Sequence, residues 1–409
     1  MEPGPTPAPR VLTRTLVAYL ASRFCGATAM TLLRAAVAWH VFALTGSAYQ
    51  LGLIGVVQFL PALGLVLFAG AMADAHDRRR IMFVAQGVAL IGGLLLWMAT
   101  AEGALTLILL YGVVLVLSAA NTFDGPARAA LLPTLVPREA FPRAVTLAST
   151  NQALAFATGP ALAGLVIAGR GIAVAYAVYA ALVCGSLVAL LFVRAGRDDG
   201  PRSAPSLQTI REGLAFVRRR PVVLGCMVLD MFAVIFGGAT ALLPIYAQEI
   251  LHVGPRGYGL LSSSLELGAL ATAAVLMARP PIRRTGLALL VAVGVYGTAT
   301  IVFGLSRWFP LSVASYMLVG AADQVSVVMR STATQMSTPD ALRGRVSAVS
   351  LLFIGASNQL GAAESGFVAG LTSAPIAVVS GGVGCLVVLA VVALTNPALR
   401  HYRIGRSAR

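Results

Sequence analysis

The stretch GAMADAHDRRR, residues 70–80, is the densest cluster of charge in the first half of the chain. It contains Asp74, Asp77 and three consecutive arginines, and the segments on either side of it are almost wholly apolar. A charged turn between two apolar segments is typical of a loop between membrane helices. The prediction of a membrane-helix fold therefore depends on whether the rest of the chain has the composition and spacing of such helices.

The composition is that of a polytopic membrane protein. Of 409 residues, 58% are hydrophobic and 11% are charged, and the mean hydropathy is +0.85. A soluble protein carries about 25% charged residues. The net charge of +15 comes from arginine, since the chain has no lysine.

The apolar segments have the length of membrane helices. A spanning helix needs about 20 apolar residues to cross a hydrocarbon core about 30 Å thick. Turns rich in Gly, Pro and Ser separate about twelve such segments. We therefore predict an all-α membrane protein with spans at 15–44, 50–73, 81–101, 104–124, 142–169, 171–193, 221–247, 257–278, 285–306, 309–330, 345–371 and 374–396.

The arginines divide unequally between the two sides of such a bundle. With twelve spans, one side receives 25 of the 30 arginines, and the other receives only Arg170, Arg256 and Arg307. We call these the arginine-rich side and the arginine-poor side. Because loops rich in Lys and Arg stay in the cytoplasm, the arginine-rich side and both termini are predicted to be cytoplasmic. Topology explains the positive charge, so we expect no nucleic-acid partner.

The longest arginine-rich loop divides the spans six and six. It contains SLQTIREGLAFVRRRP, where Ser206 as N-cap and the apolar spacing predict an amphipathic helix on the membrane surface. The predicted organisation is a disordered tail (1–13), an N-terminal six-helix half (14–194), a linker (195–220), a C-terminal six-helix half (221–396) and a basic tail (397–409).

The two halves repeat each other weakly. A shift of 202 residues aligns Arg128 with Arg330 and Gly164 with Gly366, together with Pro137/Pro339, Arg143/Arg345, Gly159/Gly361 and Ala161/Ala363. Two homologous halves are a transporter architecture, with the substrate site between the halves. The alternative is chance matching among glycine-rich helices.

The charged loop resembles the signature loop of the major facilitator superfamily. Gly70, Asp74, Arg78 and Arg79 fall on the signature positions, and Asp77 stands where a second glycine is usual. The variant with Asp resembles the bacterial branch that includes the enterobactin (siderophore) exporter and related drug-efflux proteins, as do LTGSAYQLGLIGVVQFLP, DGPARAALLPTLVP and NQLGAAESGFVAGL. The resemblance implies two pseudo-symmetric six-helix halves and secondary active transport.

The stretch ATGPALAG in span 5 resembles the motif of exporters that run as antiporters. Gly159, Pro160 and Gly164 fit the motif, and Ala163 replaces a glycine. Pro160 removes a backbone donor, and the small residues allow close helix approach, which suits a tight seam between the halves. The alternative is ordinary packing of small residues.

The resemblance also implies a cytoplasmic gate. Asp74 would contact the N-terminus of span 11, which we predict to have Thr338 as N-cap and Pro339 at its first position. Arg78 would pair with Asp124. The alternative is that the loop arginines only fix topology. The complete predicted gate is Gly70, Asp74, Arg78, Arg79, Asp124, Arg128, Arg330, Arg343 and Arg345.

Ionisable residues inside spans cost about 2.5–3.5 kcal/mol on insertion scales and are functional candidates for that reason. Arg23 is expected to extend to the cytoplasmic face, and Asp323 could pair with Arg330 two turns later. Burial favours the protonated form of a carboxyl group, so an acid of the C-terminal half is expected to carry a proton. Arg34 would hold an anionic group of the substrate or tune the acids. The substrate and proton candidates are Arg34, Asp230, Glu266, Asp323, Asn358 and Glu364.

The predicted function is proton-coupled export of a small amphipathic molecule across the bacterial inner membrane by a monomer. An importer or a lysolipid flippase is the alternative. The chain has no GxxxxGK[ST], HExxH or GxSxG motif, so an ATP-driven pump and an intramembrane enzyme are disfavoured. We expect no cofactor and no metal.

Asp74→Asn tests the gate. A carboxylate is attracted to the positive end of a helix, whereas an amide has no net charge to contribute. We expect the variant to be expressed normally and to lose transport in a vesicle assay. Near-normal transport would exclude the gate role of Asp74.

Overall fold

The computed structural model describes residues 13–193, 207–280 and 282–403. In these ranges the chain is α-helical with short 3₁₀ and π segments and has no strand. Residues 1–12 and 404–409 of the two predicted tails, and the predicted linker up to Ser206, lie outside the described residues. The all-α fold class is confirmed.

Twelve long helices of the described chain correspond to the predicted spans. Ten of them combine the length and hydropathy of a membrane span, and the other two, spans 2 and 11, are 28 and 32 residues long. Spans 1 to 6 are Arg14–Thr45, Ala48–Ala75, Arg78–Ala101, Leu107–Leu131, Phe141–Arg170 and Ile172–Leu191. Spans 7 to 12 are Pro221–Ile250, Gly254–Ala278, Thr285–Leu305, Phe309–Met336, Asp340–Leu371 and Ala374–Thr395.

Local sequence fixes the ends of span 1. The Thr13 hydroxyl accepts a hydrogen bond from the Leu16 N–H at 3.2 Å, which is N-cap geometry. Gly46 has φ 59°, and its N–H donates to the Phe42 carbonyl at 2.8 Å. This left-handed conformation costs glycine little, so the helix ends there.

Asp77 has a local structural role. Its carboxylate accepts a hydrogen bond from the Arg79 N–H at 2.9 Å and caps the N-terminus of span 3. A second glycine at this position would leave that end of the helix without a side-chain acceptor. The departure of Asp77 from the superfamily signature therefore stabilises the start of span 3.

Several helix ends lie beyond their predicted positions. Span 4 continues to Leu131 and span 10 to Met336, so Arg128 and Arg330 are buried helix residues rather than loop residues. The predicted N-cap of span 11 was wrong by one residue: Pro339 caps the helix, which begins at Asp340, and the Thr338 hydroxyl donates to the Thr334 carbonyl. The predicted ends followed the apolar runs, whereas these helices continue beyond those runs.

The linker contains a helix, Leu207–Arg219, that packs against protein. Val217 is buried in a cluster with Val223 and Met227 of span 7 and Val346 and Val349 of span 11. An ion pair of 2.8 Å joins Arg345 Nη1 to Glu212 Oε2. The predicted position on the membrane surface is therefore wrong for Leu214 and Val217, two described apolar residues of this helix, which pack against spans 7 and 11.

Glycine contacts bring the two halves together on the arginine-poor side. A Cβ at Gly164 of span 5 would lie 2.6 Å from Gly259 Cα of span 8. A Cβ at Gly52 of span 2 would lie 3.1 Å from Gly366 Cα of span 11. Gly164 and Gly366 are the pair that the 202-residue shift aligns, so the two contacts are related by the internal repeat. We call them the glycine seam.

The other motif residues of span 5 lie at different contacts. The Pro160 carbonyl would lie 2.9 Å from a Cβ at Gly259, so Pro160 belongs to the glycine seam. Gly159 faces span 1, where a Cβ would lie 2.8 Å from the Leu32 nitrogen. Gly159 therefore packs helices within the N-terminal half rather than between the halves.

Span 7 is interrupted near its middle. Its first helix ends at Phe236, and after Gly237 and Gly238 the chain continues as a 3₁₀ turn, Ala239–Leu242, and a π-helix, Tyr246–Ile250. The Tyr296 hydroxyl of span 9 donates to the Gly237 carbonyl at 3.2 Å. A Cβ at Gly238 would lie 2.6 Å from the Gly361 carbonyl of span 11. The break thus lies where three spans of the C-terminal half meet.

Gly164→Val tests the glycine seam. The new side chain would collide with the Gly259 backbone, which cannot move away as a flexible side chain can. We expect a loss of about 1–3 kcal/mol in stability, lower transport, and faster labelling from outside of a cysteine introduced at the buried Ala363. The matched control is Gly169→Val on the same helix, where a Cβ has nothing within 4 Å. Equal labelling of the two variants would refute the seam.

Candidate functional site

A cavity of about 440 Å³ lies mainly within the N-terminal half. It extends from Arg34 of span 1 and Gln58 of span 2, near the middle of the spans, to Asp124 and Arg128 of span 4 near the arginine-rich side. Gln359 of span 11 contributes to its wall from the C-terminal half. The cavity therefore connects the middle of the bundle with the arginine-rich end of the N-terminal half.

Arg34 is the deepest charged residue of the cavity wall. It is surrounded by spans on all sides, yet its side chain remains accessible because it faces the cavity. It interacts electrostatically with Glu266 of span 8, and Glu266 interacts with Asp323 of span 10. We call these three residues the central cluster. One guanidinium and two carboxylates give the fully ionised cluster a charge of −1.

Tyrosines surround the acids of the central cluster. Tyr316 lies near Glu266, and Tyr296 lies near Asp323. Tyr316 also shares a 2.7 Å hydrogen bond with Thr240 in the interrupted segment of span 7. The cluster is therefore connected to the break in span 7 and, through Arg34, to the N-terminal half.

Asp230 does not belong to the central cluster. It forms an ion pair with Arg330 of span 10, and each residue is only 8% exposed. The suggested pairing of Asp323 with Arg330 is not what the structure shows, because Asp230 occupies that position and Asp323 lies beside Glu266 instead. Asp230 and Arg330 hold spans 7 and 10 together within the C-terminal half.

Asp124 has different partners from the one predicted. Arg128 Nε donates to Asp124 Oδ2 at 2.9 Å, and Gln86 Nε2 donates to Asp124 Oδ1 at 3.2 Å. Arg78 Nη1 donates to the Ala130 carbonyl at 2.8 Å, and Arg79 Nη2 donates to the Leu191 carbonyl at 2.7 Å. Both loop arginines thus bind the carbonyl ends of neighbouring helices, which carry partial negative charge.

Three further predicted residues of the described chain, Asn358, Glu364 and Arg343, do not line the cavity. The Asn358 amide is exposed and donates to the Ile354 carbonyl at 2.9 Å, while its neighbour Gln359 lines the cavity. Glu364 is half-buried beside Ser365, near the glycine seam. Arg343 is exposed at the start of span 11. Gly70 and Asp74 lie in the last turns of span 2, and their surroundings are outside what the structure describes.

The sequence analysis named Arg34, Asp124 and Arg128 of the cavity wall but missed three other polar residues of that wall, Arg23, Gln86 and Gln152. Arg23, expected at the cytoplasmic face, lines the cavity and donates to Tyr19 and to Gln152 of span 5. Spacing was the available signal, because Arg23 and Arg34 are eleven residues apart and so lie on the same face of a helix. Gln86 and Gln152 carry no such signal, since a lone glutamine in an apolar span also occurs in packing.

Comparison with known proteins gives a consistent family. The family model described as "Transmembrane secretion effector" matches residues 12–404. The chain is similar to the enterobactin exporter EntS of Escherichia coli O9:H4 (strain HS), with 27% identity over 93% of this chain and 92% of that protein. The enterobactin exporter EntS of Shigella dysenteriae serotype 1 has the same identity and coverage.

Solved structures share the fold. The nucleoside transporter NupG superposes with a TM-score of 0.72 at 13% identity and covers 94% of this chain and 99% of its own. A bacterial homologue of the human lysosomal transporter Spinster has a TM-score of 0.68 at 14% identity, with 97% of each chain covered. At these identities the similarity concerns the fold alone.

Asp230→Asn tests the ion pair with Arg330. Removing one partner leaves a buried guanidinium uncompensated, so we expect the free energy of unfolding to fall by about 3–5 kcal/mol. Thermal unfolding of the purified protein in detergent measures the loss. Asp323→Asn is the matched control, because Asp323 lies beside another carboxylate. Wild-type stability of Asp230→Asn would return Asp230 to the proton-carrier candidates.

Proposed function

We propose a transport mechanism from the premise that this chain belongs to the major facilitator superfamily, in the family of transmembrane secretion effectors. The chain is a multi-pass membrane transporter. In our proposal it exports a small amphipathic molecule across the bacterial inner membrane by alternating access, in exchange for protons. It acts as a monomer with both termini in the cytoplasm.

The position of the cavity supports loading from the cytoplasm. The cavity reaches from the middle of the bundle toward the arginine-rich side, whereas the glycine seam brings the halves together on the arginine-poor side. A molecule that enters such a cavity comes from the arginine-rich side, which the positive-inside rule makes cytoplasmic. Export follows when the seam opens and the halves close on the opposite side.

The central cluster is the observation that carries the proposed proton coupling. Arg34, Glu266 and Asp323 lie on three spans and cross the boundary between the halves. Their charge of −1 when fully ionised becomes zero when one carboxylate accepts a proton. A single proton can therefore decide whether the cluster attracts a substrate, at a place where the two halves must separate and rejoin.

The substrate and the proton compete for the central cluster, and this competition produces antiport. A substrate group that donates hydrogen bonds or carries positive charge binds the ionised carboxylates. Protonation from the outside removes that attraction and releases the substrate, and loss of the proton to the cytoplasm restores the site. Because Arg34 lies near Glu266, its role in this scheme is to favour the ionised form of that acid.

The direction of transport separates export from its alternatives. An importer of the same fold would move a substrate from the arginine-poor side, and a lysolipid flippase would move a lipid between leaflets. Two exporters of enterobactin among the relatives favour export. A vesicle assay of defined orientation distinguishes all three.

Glu266→Gln and Asp323→Asn test proton coupling. In inverted vesicles with an acidic lumen, the wild-type chain is expected to accumulate the amphipathic dye ethidium until nigericin collapses the pH gradient. Each substitution removes a carboxylate that binds the proton, so the gradient should no longer drive accumulation. Glu364→Gln is the matched control, since Glu364 is half-buried but lies outside the central cluster.

Three outcomes would contradict the proposal. Accumulation by the wild-type chain that ignores the pH gradient would exclude antiport. Dye movement only out of the lumen would indicate an importer. Movement of a fluorescent lysolipid with no movement of dye would indicate a flippase.

A further inference from the structure

We propose that Arg23 and Arg128 form a binding subsite for an anionic group of the substrate, such as a carboxylate, a phenolate or a phosphate, at the arginine-rich end of the cavity. The inference rests on the proposed function, because it names the substrate class of the same cavity. It assigns the anionic group to Arg23 and Arg128, and not to Arg34.

Hydrogen bonds to two neighbouring residues hold the Arg23 side chain in place. Its Nη1 donates to the Tyr19 hydroxyl at 3.3 Å, and its Nη2 donates to Gln152 Oε1. The Tyr19 hydroxyl in turn donates to the Arg128 carbonyl at 3.1 Å, which ties spans 1 and 4 together. Within the described chain, Arg23 Nε is buried and has no hydrogen-bond partner.

Hydrogen bonds also hold the Arg128 side chain in the cavity wall. It is 9% exposed, and its Nε and Nη2 donate to Asp124 at 2.9 and 3.3 Å. Gln86, 6% exposed, holds the same carboxylate at 3.2 Å. Arg128 Nη1 has no partner among the described residues. A buried cationic donor without an acceptor costs free energy, which an anion in the cavity would recover.

The charge balance of the cavity favours an anion at this end. Its described wall carries three arginines and one aspartate, a net charge of +2. The charge of Arg34 is opposed by Glu266, which does not line the cavity. Arg23, Arg128 and Asp124 together leave a charge of +1 at the arginine-rich end, with two unpaired donors. One anionic group neutralises it.

The C-terminal half shows the same position closed by an internal ion pair. Arg128 and Arg330 are matched by the 202-residue shift. The partner of Arg330, Asp230, lies on span 7, whereas span 1 carries Arg23 in the cavity wall. In the C-terminal half the acid pairs with the arginine. In the N-terminal half Asp124 of the same span supplies the acid for Arg128, and span 1 adds Arg23, a second cation, to the same cavity wall, so the pair of arginines keeps an excess positive charge.

The distance between the anionic subsite at Arg23 and the central cluster at Arg34 indicates the length of the substrate. Arg23 and Arg34 are eleven residues apart on one face of span 1, which is about 16 Å along the helix axis. Gly26, Ala27 and Met30 line the cavity between them. The substrate that fits is an elongated amphipathic molecule, with an anionic group at one end, an apolar middle, and a hydrogen-bond donor or cation near the central cluster.

A pair of probes that differ only in charge tests the subsite. The probes are 7-diethylaminocoumarin-3-carboxylate and the matching carboxamide, and fluorescence anisotropy measures their binding to the full chain in lipid nanodiscs without a pH gradient. We expect the wild-type chain to prefer the carboxylate by about tenfold, as a charge-assisted hydrogen bond provides. Equal affinity for the two probes would overturn the proposal.

Arg23→Asp tests whether the preference for the carboxylate probe arises at this subsite. The substitution places a carboxylate at a position that lines the same cavity as Arg128, so an internal pair with Arg128 takes the place of the anion. We expect the carboxylate preference to disappear, and Arg23→Lys to keep part of it. The matched control is Arg14→Asp, the same charge change on an exposed residue of the same helix. A preference retained in Arg23→Asp would overturn the proposal.

The transport assay separates this subsite from the proposed function. If the subsite is wrong, ethidium still accumulates against the pH gradient in the wild-type chain while the two coumarins bind equally. If the proposed export is wrong, ethidium does not accumulate while the carboxylate preference and its loss in Arg23→Asp remain. Each proposal therefore fails by its own measurement.

Discussion

A charged side chain inside a membrane span must be compensated by protein or by a water-accessible cavity, because the bilayer offers it no partner. The helices of this chain are arranged around that requirement. Arg330 is compensated by Asp230, Arg128 by Asp124, and Arg34 by Glu266. Two of these contacts join separate spans, so the cost of burying charge also selects which helices lie together. The cavity forms where the compensation is incomplete.

Alternating access also needs contacts between the two halves that can be broken. The glycine seam suits this requirement, because two helix backbones approach closely there without interlocking side chains. Separating such surfaces leaves no buried charge behind, unlike separation of spans 7 and 10. The Asp230–Arg330 pair lies within one half, and the seam lies between the halves. The ionic contact thus holds spans 7 and 10 of the C-terminal half together, while the boundary between the halves on the arginine-poor side depends on packing that is easier to undo.

The sequence was sufficient for the parts of the structure that depend on local composition. Apolar runs gave the spans because burial in lipid depends on hydropathy, and the ends of span 1 follow from Thr13 and Gly46. It was insufficient for contacts between distant residues. Asp230 and Arg330 are one hundred positions apart, and nothing in the pattern distinguishes that pairing from one with Asp323. Spans 4 and 10 continue beyond their apolar runs, and this places Arg128 and Arg330 in buried helix rather than in loops.

The interruption of span 7 carried a signal that sequence analysis can use. Gly237 and Gly238 follow an apolar run, and Pro244 follows them, which is the composition of a discontinuous helix at a transporter site. The break lies next to the central cluster, where Thr240 and Tyr316 share a hydrogen bond. A segment without a continuous helical ladder can change conformation at lower cost than an intact one. Reorganisation at the acids and movement of span 7 can therefore occur together.

The distance between the anionic subsite and the central cluster decides which kind of coupling is possible. If the substrate's anion were bound at Arg34, it would draw the guanidinium from Glu266 and favour the protonated acid. Substrate and proton would then bind together, which is symport, and outward transport would work against the proton gradient. With the anion three helical turns away at Arg23 and Arg128, the acids meet only the other end of the substrate. Binding of the substrate and of the proton then remain mutually exclusive, as exchange requires.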